Sequence, residues 1–383
     1  MFNKTDKLYY KDAYIKEFTA TVLSVEKTDN GYDTVLDKTA FFPEEGGQAS
    51  DTGYIGDARV TYVYEKDGVI HHITDIPPSD GKNNCKIDFD LRFDRMQCHT
   101  AEHILCGIIH RLFGFDNVGF HLGDDEVTFD VSGVLTREDL DRVEREANLV
   151  VFSNLNVTTY FPSADELAKT EYRAKLDITE GVRLVEIENT DICACCAPHV
   201  SKTGEIGLIK ILDFMKHRGG TRIWMCAGGR ALKDYSLRYD NIKRISGLLS
   251  TPQLKTAETL ETYIVEAEKI KASLKLARLR IAELEADRVE ETDNNSVYFF
   301  LDFSIPELIA FSNVAVSKIG GILVALSGED GDYKYVISSK KIDLRTLQKD
   351  INTVLLGKGG GRPEMIQGSF KSTYSEIISY FGN

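Results

Sequence analysis

The sequence predicts a mixed α+β protein with more than one domain. Residues 17–75 hold short runs rich in β-branched residues, Thr19–Val25, Asp33–Ala40, Ala58–Tyr64 and Val69–Ile73, parted by Gly, Asp and Asn, which read as strands and turns. From Asp90 the apolar period becomes that of a helix. Between Leu260 and Leu284 apolar residues alternate at spacings of three and four, a heptad seam. A chain of 383 residues, 42% hydrophobic, has material for more than one core.

Taken in order, the β-rich stretch is expected to end at the boundary Pro77–Gly81. Ile104, Leu105, Ile108, Ile109 and Leu112 place a helix over Met96–Phe113, closed by Gly114. A strand (Val127–Val131), a helix (Arg137–Ser153), a strand (Val157–Phe161) and a helical stretch to Lys175 follow, and 181–228 alternates strands and turns. Pro252 opens a polar helix over 253–292, about 60 Å long at about 1.5 Å per residue. It is either a helical hairpin arm or an intermolecular coiled coil. From Asn295 the pattern is strand, helix, strand, strand, helix, ending in the glycine-rich tract Gly357–Gly368. The expected divisions are a β-rich subdomain (1–90), an α+β domain (91–240), a helical linker or dimerisation arm (241–294) and a small α/β C-terminal domain (295–383).

The net charge of −14 is unevenly spread: 20 basic residues face 37 acidic ones in 1–199, a net −17, while 200–296 is +3 and 297–383 is neutral. A polyanionic partner is therefore expected on the second half or on local patches. No apolar run approaches the roughly 20 residues of a membrane helix, and the N-terminus opens no signal-peptide core. Seven cysteines, an odd number at low density, argue for a reducing, cytoplasmic setting with thiols free for metal. Membrane protein, secreted toxin and disordered tail are excluded classes.

His99 and His103 share one helix face, the separation at which two imidazoles reach one ion. Downstream, Cys193, Cys195, Cys196 and His199 crowd three thiols and an imidazole into a few residues. Together the motifs point to zinc. His99-x-x-Glu102-His103 also fits the inverted zincin pattern of a peptidase, but the downstream donors are soft Cys and His rather than a carboxylate.

Several motifs together resemble one family, the editing half of alanyl-tRNA synthetase and its free-standing relatives, the AlaX trans-editing proteins. They are Phe42-Pro43-Glu44-Glu45-Gly46-Gly47-Gln48 with Asp51 and Gly53, His99-x-x-x-His103, Cys195-x-x-x-His199 with 200–207, and Gly359–Gln367, similar to the end of the synthetase's C-terminal domain. They keep the family's order over 41–368, the extent of a long-type AlaX protein. The resemblance implies hydrolysis of serine, or glycine, from mischarged tRNA(Ala). A site sized for alanine rejects an added hydroxyl poorly, so a second sieve is needed. About one zinc per chain is expected, and the heptad seam Leu260–Leu284 is expected to bury itself against a second copy, giving a homodimer.

By position the implied ligands are His99, His103, Cys195 and His199. Four protein ligands close a tetrahedral ion, so either one is loose, with His199 the candidate, or the ion becomes five-coordinate. The family usually reads Cys-Gly-Gly-Thr-His where this chain has Cys195-Cys196-Ala197-Pro198-His199. Thr100 stands where the family's small hydroxyl residue helps recognise serine, and Glu102 is a candidate base for the attacking water. Gly46, Gly47 and Gln48 are expected to shape a turn approaching the tRNA end, His121 to contact substrate, and Lys358 and Arg362, with the donors of Gly359–Gly361, to hold tRNA phosphates. The plain readings of these residues are a helix-start threonine, a solvated glutamate, a core or surface histidine and a glycine turn. A non-catalytic tRNA-binding protein with structural zinc is the first alternative and a zinc peptidase the second.

Overall fold

In the computed structural model, which describes residues 4–124, 126–174 and 181–382, the β-rich stretch closes into a barrel. Its strands are β1 (Glu17–Thr28), β2 (Gly31–Leu36), β3 (Gly53–Ile55), β4 (Ala58–Lys66), β5 (Val69–Thr74) and β6 (Gly81–Ile87). They run β1-β2-β5-β4-β3-β6 around the barrel, and each pair is antiparallel. Leu36, Phe41, Ile55, Val60 and Ile70 fill the interior. Pro77–Gly81, expected as a boundary, leads instead into β6, whose pairing with β1 and β3 leaves the barrel no open edge.

Helix α1 (Phe89–Phe113) starts before Met96 because its first turns bury an arginine, which interrupts the apolar period. Arg92 is 1% exposed. Its Nε lies 3.0 Å from both Asp51 oxygens, and Nη2 donates to Ala40 O at 2.7 Å. This buried pair ties α1 to the barrel. Gly114 ends the helix at φ 69°, its N–H bonded to His110 O at 2.8 Å.

Next come β7 (Asn117–Leu122), β8 (Val127–Val131), α2 (Arg137–Ser153), β9 (Val157–Tyr160), α3 (Ala164–Leu167), β10 (Leu184–Ile187), β11 (Asp191–Ala194), β12 (Ile209–His217), β13 (Gly220–Ala227) and α4 (Gly228–Leu249). Two antiparallel sheets, β12-β13-β8-β7 and β9-β10-β11, share a core with α1 and α2 through Ile104, Leu105, Phe129, Val143, Val185 and Ile223. The helical stretch expected up to Lys175 is the single turn α3, and Lys175 lies outside the described residues. Helix α4 is not among the expected elements: it opens on two glycines and buries only Ala231, although Leu232, Tyr235, Tyr239 and Ile242 recur at helical spacings of three and four.

By its internal contacts the chain divides into two units, Met1–Asn241 and Ile242–Asn383. In the second, α5 (Thr256–Asp287) follows a 3-10 turn at Gln253–Lys255 and is shorter than expected. Its far end is anchored, with Ala282 and Ala286 packed on Leu308 and Phe311 of the next helix. The remaining elements are β14 (Ser296–Phe300), α6 (Ile305–Ala315), β15 (Leu323–Glu329), β16 (Asp332–Ser338), α7 (Arg345–Val354), β17 (Lys358–Arg362), β18 (Met365–Phe370) and α8 (Tyr374–Phe381). The sheet runs β14-β15-β16-β18-β17, parallel only between β14 and β15. Leu323 and Ala325 point to α6, and the alternate residues Val324 and Leu326 join Ile351 and Ile377 on the other face. Gly359–Gly361, read as a turn, form part of the edge strand β17. Among the described residues no helix is long and apolar enough to cross a membrane.

Candidate metal centre

The motif His99–His103 lies mid-helix in α1, not at its start, and both imidazoles are buried. Cys195 and His199 come from the irregular loop after β11. The donor atoms of His99, His103, Cys195 and His199 all lie within 4.8 Å of one another. Cys195 Sγ stands 3.6 Å from His99 Nε2 and 3.4 Å from His199 Nε2. A tetrahedral zinc with bonds of ~2.1 Å to nitrogen and ~2.3 Å to sulfur separates two such donors by roughly 3.5 Å. The two separations from Cys195 therefore match donors arranged around one cation of that size.

The far nitrogen of each ring has its own neighbour. His99 Nδ1 donates to Gln48 Oε1 at 2.8 Å. The Thr100 hydroxyl donates to Met96 O at 2.7 Å, so it accepts from His199 Nδ1 at 3.0 Å and from Val200 N at 3.3 Å. Asp191 Oδ2 sits 3.4 Å from His103 Nδ1, a charge contact too long for a well-formed hydrogen bond. Each contact turns Nε2 toward the ligand cluster, the usual way a protein fixes the tautomer and orientation of a metal-binding histidine.

Three glycines make these contacts reachable. Gly46 and Gly47 have φ of 64° and 83°, and a Cβ on Gly47 would lie 2.4 Å from Phe120 O. The loop thus lies flat on β7, with Leu122 N donating to Gly47 O at 2.7 Å, and delivers Gln48 beneath His99. On α1, a Cβ at Gly107 would lie 2.8 Å from Asp191 Cβ, so the bare glycine lets β11 approach His103. Arg183 braces the ligand loop, its Nη1 donating to Cys195 O and Ala197 O at 2.9 Å each.

Burial pushes the Cys195 thiol up, but the surrounding imidazoles of His99, His199 and His103 hold it well below the usual thiol range. Burial lowers His199 to about 3. A thiolate beside a neutral imidazole is the form that binds metal. Burial also acts to lower His103, but Cys193, Asp191 and Cys195 outweigh it and raise the ring, making His103 the ligand whose proton an incoming cation displaces. Cys193 is raised by burial.

Of the four donors, His99, His103 and Cys195 open on a cavity of about 880 Å³ lined also by Glu102, Asn117, Phe120 and Cys196. Glu102 Oε2 is 3.9 Å from His103 Nε2, while Oε1 receives Asn117 Nδ2 and, at 3.4 Å, the Cys106 thiol. The expected site residues divide between this place and others. His99, Thr100, Glu102, His103, Cys195, His199 and Gln48 come together. His121 is exposed on β7 and does not line the cavity, where its neighbour Phe120, one residue off in the strand alternation, packs on His99 at 4.6 Å between ring centroids. Lys358 and Arg362 are exposed on β17 in the second unit. His199, 3% exposed, is as firmly held as His99. Asp191, Asn117, Phe120 and Arg183 were not legible as site residues. Only the tertiary fold brings them in, although an Asp two residues before the first thiol of the cysteine cluster was a usable hint.

A family model, the second additional domain of threonyl and alanyl tRNA synthetases, matches residues 182–224, which include Cys195 and His199. The chain is 29% identical to the alanyl-tRNA editing protein AlaX-L of Pyrococcus horikoshii, over 97% of this chain and 96% of that one. It is 32% identical to the alanine–tRNA ligase of Halorubrum lacusprofundi over 87% of this chain, and 31% identical to that of Pyrococcus abyssi over 96%. It spans only 38% and 42% of those ligases' own length. The solved C-Ala domain of Aquifex aeolicus alanyl-tRNA synthetase matches 24% of this chain and 93% of its own at 21% identity, with a TM-score of 0.22, too low to bear on the fold. By these comparisons the chain resembles the alanyl-tRNA synthetase editing-domain family. Within it, the similarity to AlaX-L runs along nearly the whole of both chains.

Proposed function

We propose that this chain is a zinc-dependent aminoacyl-tRNA deacylase that acts in trans on tRNA(Ala) mischarged with serine, and also with glycine. The observation that carries the reading is a buried His99–His103–Cys195–His199 donor set opening on a cavity with a carboxylate, Glu102, beside it. The name of the AlaX-L relative supports the substrate class. Zinc bound there would acidify water and polarise an ester carbonyl. The chain's own groups do the rest. Glu102 is placed to take the proton of the attacking water, and Asn117 holds that carboxylate in position. Gln48, Thr100 and Asp191 orient the three imidazoles. Because the Thr100 oxygen is already engaged by three partners, it acts through His199 rather than as a reader of the serine hydroxyl. Lys358 and Arg362 are proposed to meet the tRNA backbone.

A closed set of four protein donors is what a structural zinc has, and that favours a second reading, a tRNA-binding protein with structural metal. One experiment separates them: seryl- and alanyl-tRNA(Ala) and a peptide are incubated with the protein, with and without a chelator. Selective, chelator-sensitive loss of the seryl ester is expected. Binding without hydrolysis favours the structural-metal reading, and cleavage of the peptide a peptidase.

A further inference from the structure

The cavity that holds the ligand cluster has an aromatic wall that the metal chemistry does not use. Tyr10 and Phe161 both line it, with ring centroids 5.5 Å apart and planes at 75°. Phe161 is 54% exposed and belongs to none of the cores formed by the described residues. An aromatic ring left open beside the donor cluster presents a flat π-face on which a planar group can stack. Tyr10 in turn carries the Arg183 guanidinium 5.2 Å from its ring centroid, and the same arginine donates to Cys195 O and Ala197 O. The aromatic pair is thus tied, through one side chain, to the loop bearing two of the four ligands.

Charge decides what the ring receives. Glu44, Glu45 and Glu65 line the same cavity, and Lys7 is already paired with Glu65 at 2.7 Å. The two arginines of the lining are engaged as well, Arg173 with Asp191 and Arg183 with the carbonyls of Cys195 and Ala197. The wall therefore offers phosphate little and favours a flat neutral ring or the ammonium of an aminoacyl ester. About 880 Å³ lies within the range of small-ligand sites and accommodates a nucleoside with its amino acid. We propose that Phe161, set by Tyr10 and Arg183, is the stacking seat for the 3′-terminal base of the aminoacyl-tRNA. This rests on the deacylase reading and adds the residues that hold the nucleotide while the ester reaches Glu102 and the ligand cluster.

Stacking on an aromatic ring is lost when the ring becomes alanine, with an effect on affinity of at least about 5-fold. The test is binding of the full-length protein to two uncharged tRNA(Ala) transcripts, one ending in CCA and one in CC. The wild type is expected to favour the CCA end by about 10-fold, Phe161→Ala and Phe161→Leu by no more than about twofold, and Phe161→Trp to keep the preference. Phe161→Leu retains apolar volume without a π-face, so it reports stacking even if the alanine variant folds poorly. A wild type indifferent to the terminal base, or a leucine variant that keeps the full preference, overturns the proposal. Hydrolysis of seryl-tRNA is followed in parallel. A wild type that reads the terminal base yet leaves the ester intact supports the stacking seat and sinks the deacylase reading, and the reverse result does the opposite.

Discussion

His103 sits between two thiols, and which of them binds a cation is a question of protonation. Cys193 Sγ lies within 4.8 Å of His103 and Asp191 donor atoms, so proximity alone does not exclude it. Burial raises the Cys193 thiol, whereas the imidazoles lower Cys195, and only a thiolate is a strong metal ligand. Cys195→Ala and His103→Ala are therefore expected to lose the zinc and Cys193→Ala to keep it. Elemental analysis showing the opposite pattern for the two cysteines would make the ligand assignment wrong. Glu102 carries the second prediction at this scale. Glu102→Gln, with full zinc occupancy, should slow single-turnover deacylation by about 100-fold, whereas a rate within about threefold of wild type would leave it only the role of holding Asn117 and Cys106. The i, i+4 pair and the Cys-x-x-x-His spacing were readable because each set of ligands is local. The roles of Gln48 and Thr100 were not, since their partners lie 51 and 99 residues away.

Elements were legible where one face is apolar and the other wet. Helix α2 and strand β8 have the bounds their patterns predict, and α2 also begins on a capping box in which Thr136 and Asp139 satisfy each other's backbone. Helix α4 has a helical period in Leu232, Tyr235, Tyr239 and Ile242 but opens on two glycines, which are poor helix formers, while the buried salt-bridged Arg92 disguises the first turns of α1. The barrel makes its own prediction. His72 is wholly buried, its Nδ1 donating to Thr34 O at 3.0 Å and its Nε2 2.9 Å from the Thr39 hydroxyl. Burial lowers its pKa from 6.5 to about 4. The unfolded chain thus binds more protons in that interval, so stability is full above pH 6.5 and falls as pH drops toward 4. From a shift of that size the loss is about 3 kcal/mol. Urea unfolding at pH 7.5 and pH 5 should show a smaller pH effect for His72→Gln than for wild type; an equal effect would assign the acid sensitivity to other groups.

At the scale of the whole molecule, charge and apolar surface are divided between the units. The first 199 residues carry a net −17, which repels a polyanion. On α5 the seam residues Leu260, Ile270 and Leu274 are 49%, 67% and 59% exposed, and the helix is buried mainly near its far end. We propose that a second copy covers this seam and that the resulting homodimer doubles the tRNA-binding surface. A chain ended at Asn241 is then expected to be monomeric, to keep its zinc and to hydrolyse seryl-tRNA at saturating enzyme, because all four ligands and Glu102 precede that point. Its tRNA affinity and the slope of that affinity against salt should both fall, the slope reporting lost phosphate contacts such as those proposed for Lys358 and Arg362. Sedimentation of both lengths and binding at two salt concentrations decide this. An unchanged oligomeric state or salt slope would give the second unit another task.

Local chemistry and periodicity were sufficient for the α+β class, four of the six strands of the barrel, the two soft-donor motifs and the heptad seam, because each depends on residues a few positions apart. Closure of the barrel by β6, the neighbours of the three imidazoles, the protonation of Cys195 against Cys193 and the open ring of Phe161 belong to the tertiary structure alone. Each depends on burial and on partners far apart in the chain, and neither quantity has a period.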